Sequence, residues 1–271
     1  MAQTATATSQ SAGPSSGILL EVRGVSLSFG GVRALDDVSF EVPTGLTTGL
    51  IGPNGAGKTT LFNCLSGLYR PSSGDILFDG ASILRMAPHR ITALGIGRTF
   101  QNLALFNSMS VLDNVLTGGH TRTASGFLSS ALALPGVGAE ERASRERARE
   151  IITSLDLGRV ASLPVASLPF GTRKRVELAR ALMAEPRLLL LDEPASGLNH
   201  EEVEEFAATL REVKARHGLT LLLVEHHMNL VMSISDHVVT LDFGRKIADG
   251  TPAEVRADPV VIEAYLGTGT Q

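Results

Sequence analysis

The sequence contains a single cysteine, Cys64, among its 271 residues. One thiol cannot form an intramolecular disulfide or a cysteine-based zinc cluster, so both are excluded, and a reducing compartment is the simplest setting. Long hydrophobic runs are also missing, because the apolar stretches at residues 188–191 and 221–224 fall well short of the roughly 18 residues that a membrane helix needs. We therefore expect a chain that does not cross a bilayer by itself.

The sequence also has no excess of positive charge. Its 24 lysines and arginines are outnumbered by 28 aspartates and glutamates, which gives a formal net charge of −4. This balance argues against a nucleic-acid partner, whose phosphates require a positive surface. Hydrophobic residues make up 43% of the chain, enough to bury a sizeable core and to exclude a wholly disordered protein.

The first 17 residues carry no charged side chain and no apolar block. Their serine, threonine, alanine and glycine content is typical of a disordered tail, and they lack the basic start and the apolar stretch of a signal peptide. We predict a disordered tail over residues 1–17, a folded domain over residues 18–267, and a C-terminal tail at residues 268–271.

The strand and helix patterns predict an α/β fold. Residues 18–29 and 32–42 are rich in β-branched residues and flank a Gly-Gly turn, which indicates an N-terminal antiparallel β-subdomain. The near-continuous apolar strands at residues 187–194 and 219–227 are separated by a helix, which favours a mostly parallel sheet with helices on both faces. Strand signals fade at about residues 88–170, where we predict an inserted α-helical subdomain.

The most informative segment follows an apolar strand that ends near residue 51. It matches the phosphate-loop pattern in full, and its residues are Gly52, Pro53, Asn54, Gly55, Ala56, Gly57, Lys58, Thr59 and Thr60. The glycines let successive backbone N–H groups turn inward, and the helix that follows directs its positive end at the same place. Lys58 can reach the β- and γ-phosphates, and the Thr59 hydroxyl can ligate Mg²⁺. We predict that this segment binds a nucleotide.

Two adjacent carboxylates, Asp192 and Glu193, lie at the end of the first of these buried strands, residues 187–194. In open α/β sheets, ligands bind at the carboxyl ends of the strands. Alone, such a pair is most simply a solvated strand end. Beside a phosphate loop, however, Asp192 is predicted to hold Mg²⁺ through water, and Glu193 to polarise an attacking water as a general base.

Taken together, these motifs resemble those of an ATP-binding cassette ATPase, the nucleotide-binding subunit of an ABC transporter. The resemblance runs from about residue 18 to residue 267 and implies a P-loop NTPase core that uses ATP and Mg²⁺. By this resemblance, Phe29 stacks on adenine, and Gln101 contacts Mg²⁺ and the γ-phosphate side. His226, rather than the adjacent His227, bonds the γ-phosphate, and the catalytic set is Glu193, His226 and Lys58.

The sequence departs from the family in two motifs. The signature motif, commonly Leu-Ser-Gly-Gly-Gln, reads LPFGT from residue 168, so Pro169 replaces the serine hydroxyl while Gly171 keeps the predicted nucleotide contact. We expect slower hydrolysis or a stronger dependence on partner subunits. Asn199 stands where the family usually has aspartate, and we predict a role for it at a dimer interface only.

The resemblance also implies an assembly. One phosphate loop faces the signature helix of a second cassette, so we expect a homodimer or heterodimer of ATPase subunits. Separate membrane permease subunits, and a solute-binding protein outside the cytoplasm, are expected to complete a transporter at the cytoplasmic face of the cell membrane. GIGRTFQNLALF around Gln101, the RKR after the signature, and the terminal DPVVIEAYLG resemble importers of branched-chain amino acids and related solutes.

Three alternatives stay open at this point. Lipopolysaccharide export ATPases share parts of these local features. Cassette proteins that act on ribosomes or DNA usually have two cassettes or long insertions, which this acidic single cassette lacks. A phosphate-loop kinase or GTPase fits poorly with a histidine downstream of the carboxylate pair, and phosphorylation of an acceptor would reveal it.

Overall fold

The computed structural model describes residues 17–99, 103–119 and 137–266. The predicted tails, apart from Gly17, and the predicted site residue Gln101 lie outside these ranges, so the predictions for them are not addressed by the fold. In the described part of the chain, no helix combines the length and the hydrophobicity needed to cross a membrane.

The strands form two sheets. In chain order they are β1 (Ile18–Phe29), β2 (Val32–Pro43), β3 (Thr47–Ile51), β4 (Ser73–Phe78), β5 (Ala81–Ser82), β6 (Ile96–Arg98), β7 (Leu188–Asp192), β8 (Thr220–Val224), β9 (His237–Asp242) and β10 (Arg245–Gly250). The first sheet has the order β2-β1-β4-β5 and is antiparallel, as predicted for the N-terminal β-subdomain. The second has the order β10-β9-β3-β8-β7-β6 and is parallel except for its β9–β10 pair.

The helices surround the second sheet. They are α1 (Lys58–Leu65), α2 (Pro88–Ala93), α3 (Val111–Thr117), α4 (Val137–Ser154), α5 (Phe170–Leu182), α6 (His200–His217), α7 (Met228–Ile234), α8 (Pro252–Ala257) and α9 (Pro259–Leu266), with 3₁₀ turns at Gly158–Val160 and Val165–Ser167. The stretch predicted as a helical insertion also contains β6, which pairs with β7 in the core sheet. Three residues are too short to show a strand period in the sequence.

Alternate residues of the central strands point into two different cores. Leu189 of β7 and Leu221 of β8 pack with helices α3 to α7, whereas Leu190 and Leu222 pack with α1 and the N-terminal sheet. Because both faces are covered, every residue of β3, β7 and β8 is buried. The mostly parallel sheet predicted from the apolar strands is therefore confirmed. The antiparallel sheet and α1 together cover one of its two faces.

Candidate active site

The phosphate loop joins β3 to α1 and packs closely against the backbones of two strands, β9 and β2. A Cβ atom at Gly52 would lie 2.1 Å from the carbonyl oxygen of Leu241, and one at Gly57 would lie 2.5 Å from that of Ala34. Both glycines also have positive φ angles, of 148° and 99°. No side chain fits at either position, which explains why the loop needs glycine there.

The rest of the loop presents polar groups to solvent at the start of α1. Gly55, Asn54 and Thr59 are exposed, Thr60 is half-buried, and Pro53 and Ala56 are buried. Gly57, with a left-handed backbone, is the N-cap of α1. The first N–H groups of an α-helix have no partner inside the helix and carry a partial positive charge. A loop with this geometry fits an anionic phosphate chain.

Lys58, the first residue of α1, is folded back over the loop. Its Nζ donates hydrogen bonds to the carbonyl oxygens of Gly52 at 2.7 Å and Pro53 at 2.9 Å. Burial lowers the pKa of Lys58, and the negative charge of Glu193 partly opposes this. The lysine predicted to bind phosphate and the predicted general base are therefore electrostatic neighbours.

Asp192 ends β7 and is buried beside an arginine that the sequence analysis did not select. The Nη2 atom of Arg98, the last residue of β6, donates to Oδ2 of Asp192 at 2.7 Å. Nη1 of Arg98 also donates to Asn63 Oδ1 and Ser66 Oγ near the end of α1, both at 2.9 Å. The one signal in the sequence is a basic residue three positions before Gln101.

Glu193 has an unusual backbone. It follows β7 directly and has a φ angle of 46°, which is uncommon for a residue other than glycine. Its N–H donates to the carbonyl oxygen of Val224 at 2.9 Å, which fixes the turn against β8. Strained backbone of this kind clusters at functional sites. The turn directs the carboxylate toward the end of the sheet where β8 also ends.

His226 lies next to that carboxylate. Its Nδ1 atom is 3.8 Å from Oε2 of Glu193, and 47% of its side chain is exposed. The structure therefore brings together Lys58, Glu193 and His226, the three predicted catalytic residues. The His227 ring lies 4.5 Å from that of His226, and Nδ1 of His227 is buried.

Glu225 is a buried carboxylate that the sequence analysis did not identify. It is fully buried, and its Oε1 accepts a hydrogen bond from the Ala195 N–H at 2.8 Å. Its Oε2 accepts bonds from the N–H groups of His226 at 3.0 Å and His227 at 3.1 Å. One carboxylate thus ties the loop after Glu193 to the loop that carries His226. Its only sequence signal is an acid at the end of an apolar strand.

A buried lysine on α5 adds positive charge behind these carboxylates. Burial lowers the pKa of Lys174, and four carboxylates oppose this, those of Glu177, Glu225, Glu193 and Asp192. The Lys174 ammonium also lies 5.7 Å from the centre of the Phe170 ring. In the sequence, the RKR run that contains Lys174 carries only a family resemblance.

Phe29 is the last residue of β1, and 46% of its surface is exposed. Its ring meets that of Tyr69 edge to face, with 5.2 Å between centroids. The Phe29 ring is therefore not that of a buried core phenylalanine. Its predicted stacking on adenine stays a prediction.

The signature segment lies at the N-terminus of α5. Pro169 is the N-cap and makes no side-chain cap, in agreement with a proline that starts a helix without donating a hydrogen bond. A Cβ atom at Gly171 would lie 3.1 Å from Oε1 of Glu202, so the structure places this glycine beside α6. Its contact with a nucleotide on a second cassette stays a prediction.

Asn199 has a local role that the sequence analysis missed. Its Oδ1 accepts from the Glu202 N–H at 3.0 Å, while Oε2 of Glu202 accepts from the Asn199 N–H at 2.9 Å. This reciprocal pair is a capping box at the start of α6. Asparagine and aspartate cap helices about equally well, so the departure from the family preserves the helix start.

The comparisons with known proteins agree with this geometry. The family model described as "ABC transporter" matches residues 35–196, more than half of the chain, and includes the phosphate loop and Asp192–Glu193. The chain belongs to this family. As an ABC ATPase it binds nucleotide and hydrolyses ATP. A second model, described as "Branched-chain amino acid ATP-binding cassette transporter", matches residues 245–270.

Relatives of this ABC ATPase cover nearly the whole chain. It is 42% identical to BraF of Pseudomonas aeruginosa, a high-affinity branched-chain amino acid transport ATP-binding protein, over 92% of this chain and 98% of BraF. It is 39% identical to LivG of Escherichia coli, which has the same description, with the same coverage. The ADP conformation of MJ1267, an ATP-binding cassette of an ABC transporter, is 33% identical, with a TM-score of 0.81 over 93% of this chain and 99% of that chain. The predicted P-loop ABC ATPase fold is thereby confirmed.

Proposed function

We propose that this ABC ATPase is the ATP-hydrolysing subunit of a transporter that takes up branched-chain amino acids or similar small polar solutes. The observation that carries the proposal is the match of residues 245–270 to the branched-chain amino acid cassette model. This segment lies beyond the general cassette match, which ends at residue 196, so it distinguishes one kind of cassette from others. The descriptions of BraF and LivG support the same solute class.

The proposed reaction is in-line attack of water on the γ-phosphate of ATP. Glu193 orients the water and accepts its proton. Two observations support this role: Oε2 of Glu193 lies 3.8 Å from Nδ1 of His226, and the charge of Glu193 acts on Lys58. Lys58 leaves the loop carbonyls that it now contacts and neutralises charge on the β- and γ-phosphates. His226 bonds the γ-phosphate, and Phe29 stacks on adenine.

The residues present also fit a magnesium ion. Mg²⁺ prefers oxygen ligands, and the chain offers the exposed Thr59 hydroxyl and the Asp192 carboxylate, with Gln101 assigned by resemblance. When bound, the ion supplies positive charge at the phosphates. Asp192 already pairs with Arg98 through Oδ2, so the chain balances this carboxylate with its own cation.

The proposed assembly pairs two cassettes and two or more membrane subunits. Gly171 and the N-terminus of α5 complete the nucleotide site of a second, identical or similar, ATPase subunit. Permease subunits hold the pair at the cytoplasmic face of the membrane, and a solute-binding protein delivers the solute from the other side. ATP then acts as an interface ligand that closes the pair, and its hydrolysis releases it.

The decisive experiment replaces the native gene with a Glu193→Gln allele and measures uptake of radiolabelled leucine. We expect leucine uptake to fall to the level of a gene deletion, while uptake of an unrelated sugar is unchanged. A Glu201→Gln allele is the matched control, because Glu201 is an exposed acid in the first turn of α6. Affinity purification from native membranes should recover multi-span permeases and a second cassette.

Three results would contradict the proposal in different ways. Normal leucine uptake in the Glu193→Gln strain, together with lost uptake of another solute, would reject the proposed solute class but not the ATPase activity. Recovery of lipid-export components would reverse the direction of transport. Recovery of only ribosomal or other non-membrane proteins would reject transport altogether.

A further inference from the structure

The last helix of the described chain reaches the first residue of the phosphate loop. The hydroxyl of Tyr265, on α9, accepts a hydrogen bond from the Gly52 N–H at 2.8 Å. The carbonyl oxygen of the same Gly52 accepts from Lys58 Nζ at 2.7 Å. A single residue of backbone therefore separates the tyrosine from the lysine that is predicted to bind phosphate.

The Gly52 N–H needs an acceptor from outside the sheet. β3 ends at Ile51, which pairs with Thr240 of β9, so Gly52 is the first residue beyond the ladder. Gly52 is buried, and a buried backbone donor without a partner costs about 1–3 kcal/mol. Tyr265 supplies that acceptor and thereby holds the loop at its starting point.

The position of the hydroxyl depends on how α9 packs. Val261 of α9 is 3% exposed, and Val255 of the preceding α8 is 2% exposed. The Tyr265 ring packs against the same core cluster that contains both valines. Burial raises the pKa of the Tyr265 hydroxyl, and the hydrogen bond from the Gly52 N–H partly opposes this. The ring is thus anchored by packing, while its hydroxyl reaches the loop.

We infer that Tyr265 is a positioning residue of the nucleotide site, through which docking of α9 and binding of ATP stabilise each other. The inference rests on the proposed role of the phosphate loop. It gives residues 245–270, the segment matched to branched-chain amino acid cassettes, a physical connection to ATP binding. Because coupling between two sites is reciprocal, loss of the hydroxyl weakens ATP binding, and ATP protects α9 from opening.

The test compares Tyr265→Phe with the unchanged chain. Phenylalanine keeps the ring packing and removes only the acceptor, so we expect the Kd of a non-hydrolysable ATP analogue to rise about 3- to 10-fold. Val115→Ala is the matched control, because Val115 is a fully buried residue of α3 whose truncation lowers stability without removing an acceptor from the loop. We expect the control to have a lower melting temperature and an unchanged Kd.

Hydrogen exchange gives a second measurement that does not depend on a binding constant. The analogue should slow exchange of the α9 amides in the unchanged chain, and much less in Tyr265→Phe. Equal Kd values for Tyr265→Phe and the unchanged chain would overturn the inference, as would an equal rise in Kd in Val115→Ala. If the unchanged chain binds no analogue, the proposed function fails first, which separates the two failures.

Discussion

Arg98 and Asp192 form a buried ion pair at the edge of the candidate site. Nη2 of Arg98 donates to Oδ2 of Asp192 at 2.7 Å, and the two side chains are 10% and 5% exposed. The same guanidinium contacts Ser66, just beyond α1. One side chain thus connects β6, β7 and the helix that follows the phosphate loop, and it lies just before the segment that contains Gln101.

Removing this arginine should destabilise the fold strongly. Arg98→Leu leaves the Asp192 carboxylate buried without its cation, for which we expect a loss of about 3–5 kcal/mol in the free energy of unfolding. The free energy of unfolding of Arg98→Lys should lie between those of Arg98→Leu and the unchanged chain, because lysine keeps the charge but not the planar set of donors. Urea unfolding measures both. Arg187→Leu is the control, since its pair with Asp79 is mostly exposed and should contribute about 1 kcal/mol or less. Equal losses at the two sites would contradict the buried-pair interpretation.

Glu193→Gln should separate binding from hydrolysis. Glutamine keeps the shape but cannot accept the proton, so we expect ATP turnover to fall about 100-fold or more with little change in ATP affinity. Phosphate release and nucleotide titration measure the two quantities, and size-exclusion chromatography with ATP should show a stabilised dimer. Glu201→Gln should behave like the unchanged chain. Wild-type turnover in Glu193→Gln would refute the general-base assignment.

Glu225→Gln should lower stability, although it removes little volume. A glutamine has one acceptor oxygen, whereas Glu225 uses both oxygens for three backbone N–H groups. We expect a loss of about 1–3 kcal/mol in the free energy of unfolding, measured with urea. Glu212→Gln removes an exposed carboxylate paired with Arg216 and should change stability by no more than about 0.5 kcal/mol. A Glu225→Gln chain as stable as the control would mean that these backbone bonds add nothing.

The Asn199 capping box gives a prediction that tests the departure from the family pattern. Asn199→Ala should lower the free energy of unfolding by about 1 kcal/mol, because the Glu202 N–H loses its acceptor. Asn199→Asp should be close to neutral, since both residues cap helices well. Thermal unfolding of the two variants under identical conditions distinguishes them. A stable Asn199→Ala chain would show that the box contributes no stability.

Cys64 offers a pH prediction. Burial raises the pKa of its thiol to about 12, whereas a thiol of an unfolded chain ionises near about 8.5. The folded state therefore binds the thiol proton more tightly than the unfolded state does. The contribution of this protonated thiol to the free energy of unfolding is complete below about pH 8.5 and is lost as the pH rises toward about 12. At pH 8 we expect iodoacetamide to react slowly with the native chain and rapidly in urea. Equal rates would show that the thiolate is accessible in the fold.

Much of the architecture follows from local patterns in the sequence. The antiparallel β1–β2 unit and the buried strands β7 and β8 follow from short-range apolar periodicity and turn residues. Boundaries are harder to predict. The apolar stripe within residues 141–156 indicates a helix over that range, whereas the helix spans Val137–Ser154. Helix ends depend on capping and packing partners, which a periodic pattern does not contain.

The sequence by itself determined the phosphate loop and the carboxylate pair, because each consists of particular residue types at short spacing, whereas His226 was assigned only through the family resemblance. Tertiary structure alone decided their partners. The Arg98–Asp192, Glu225–Ala195 and Tyr265–Gly52 contacts join residues 94, 30 and 213 positions apart. Which polar group meets which across such distances depends on how sheets and helices stack, and on the need of each buried donor or charge for a partner. No local pattern encodes that choice.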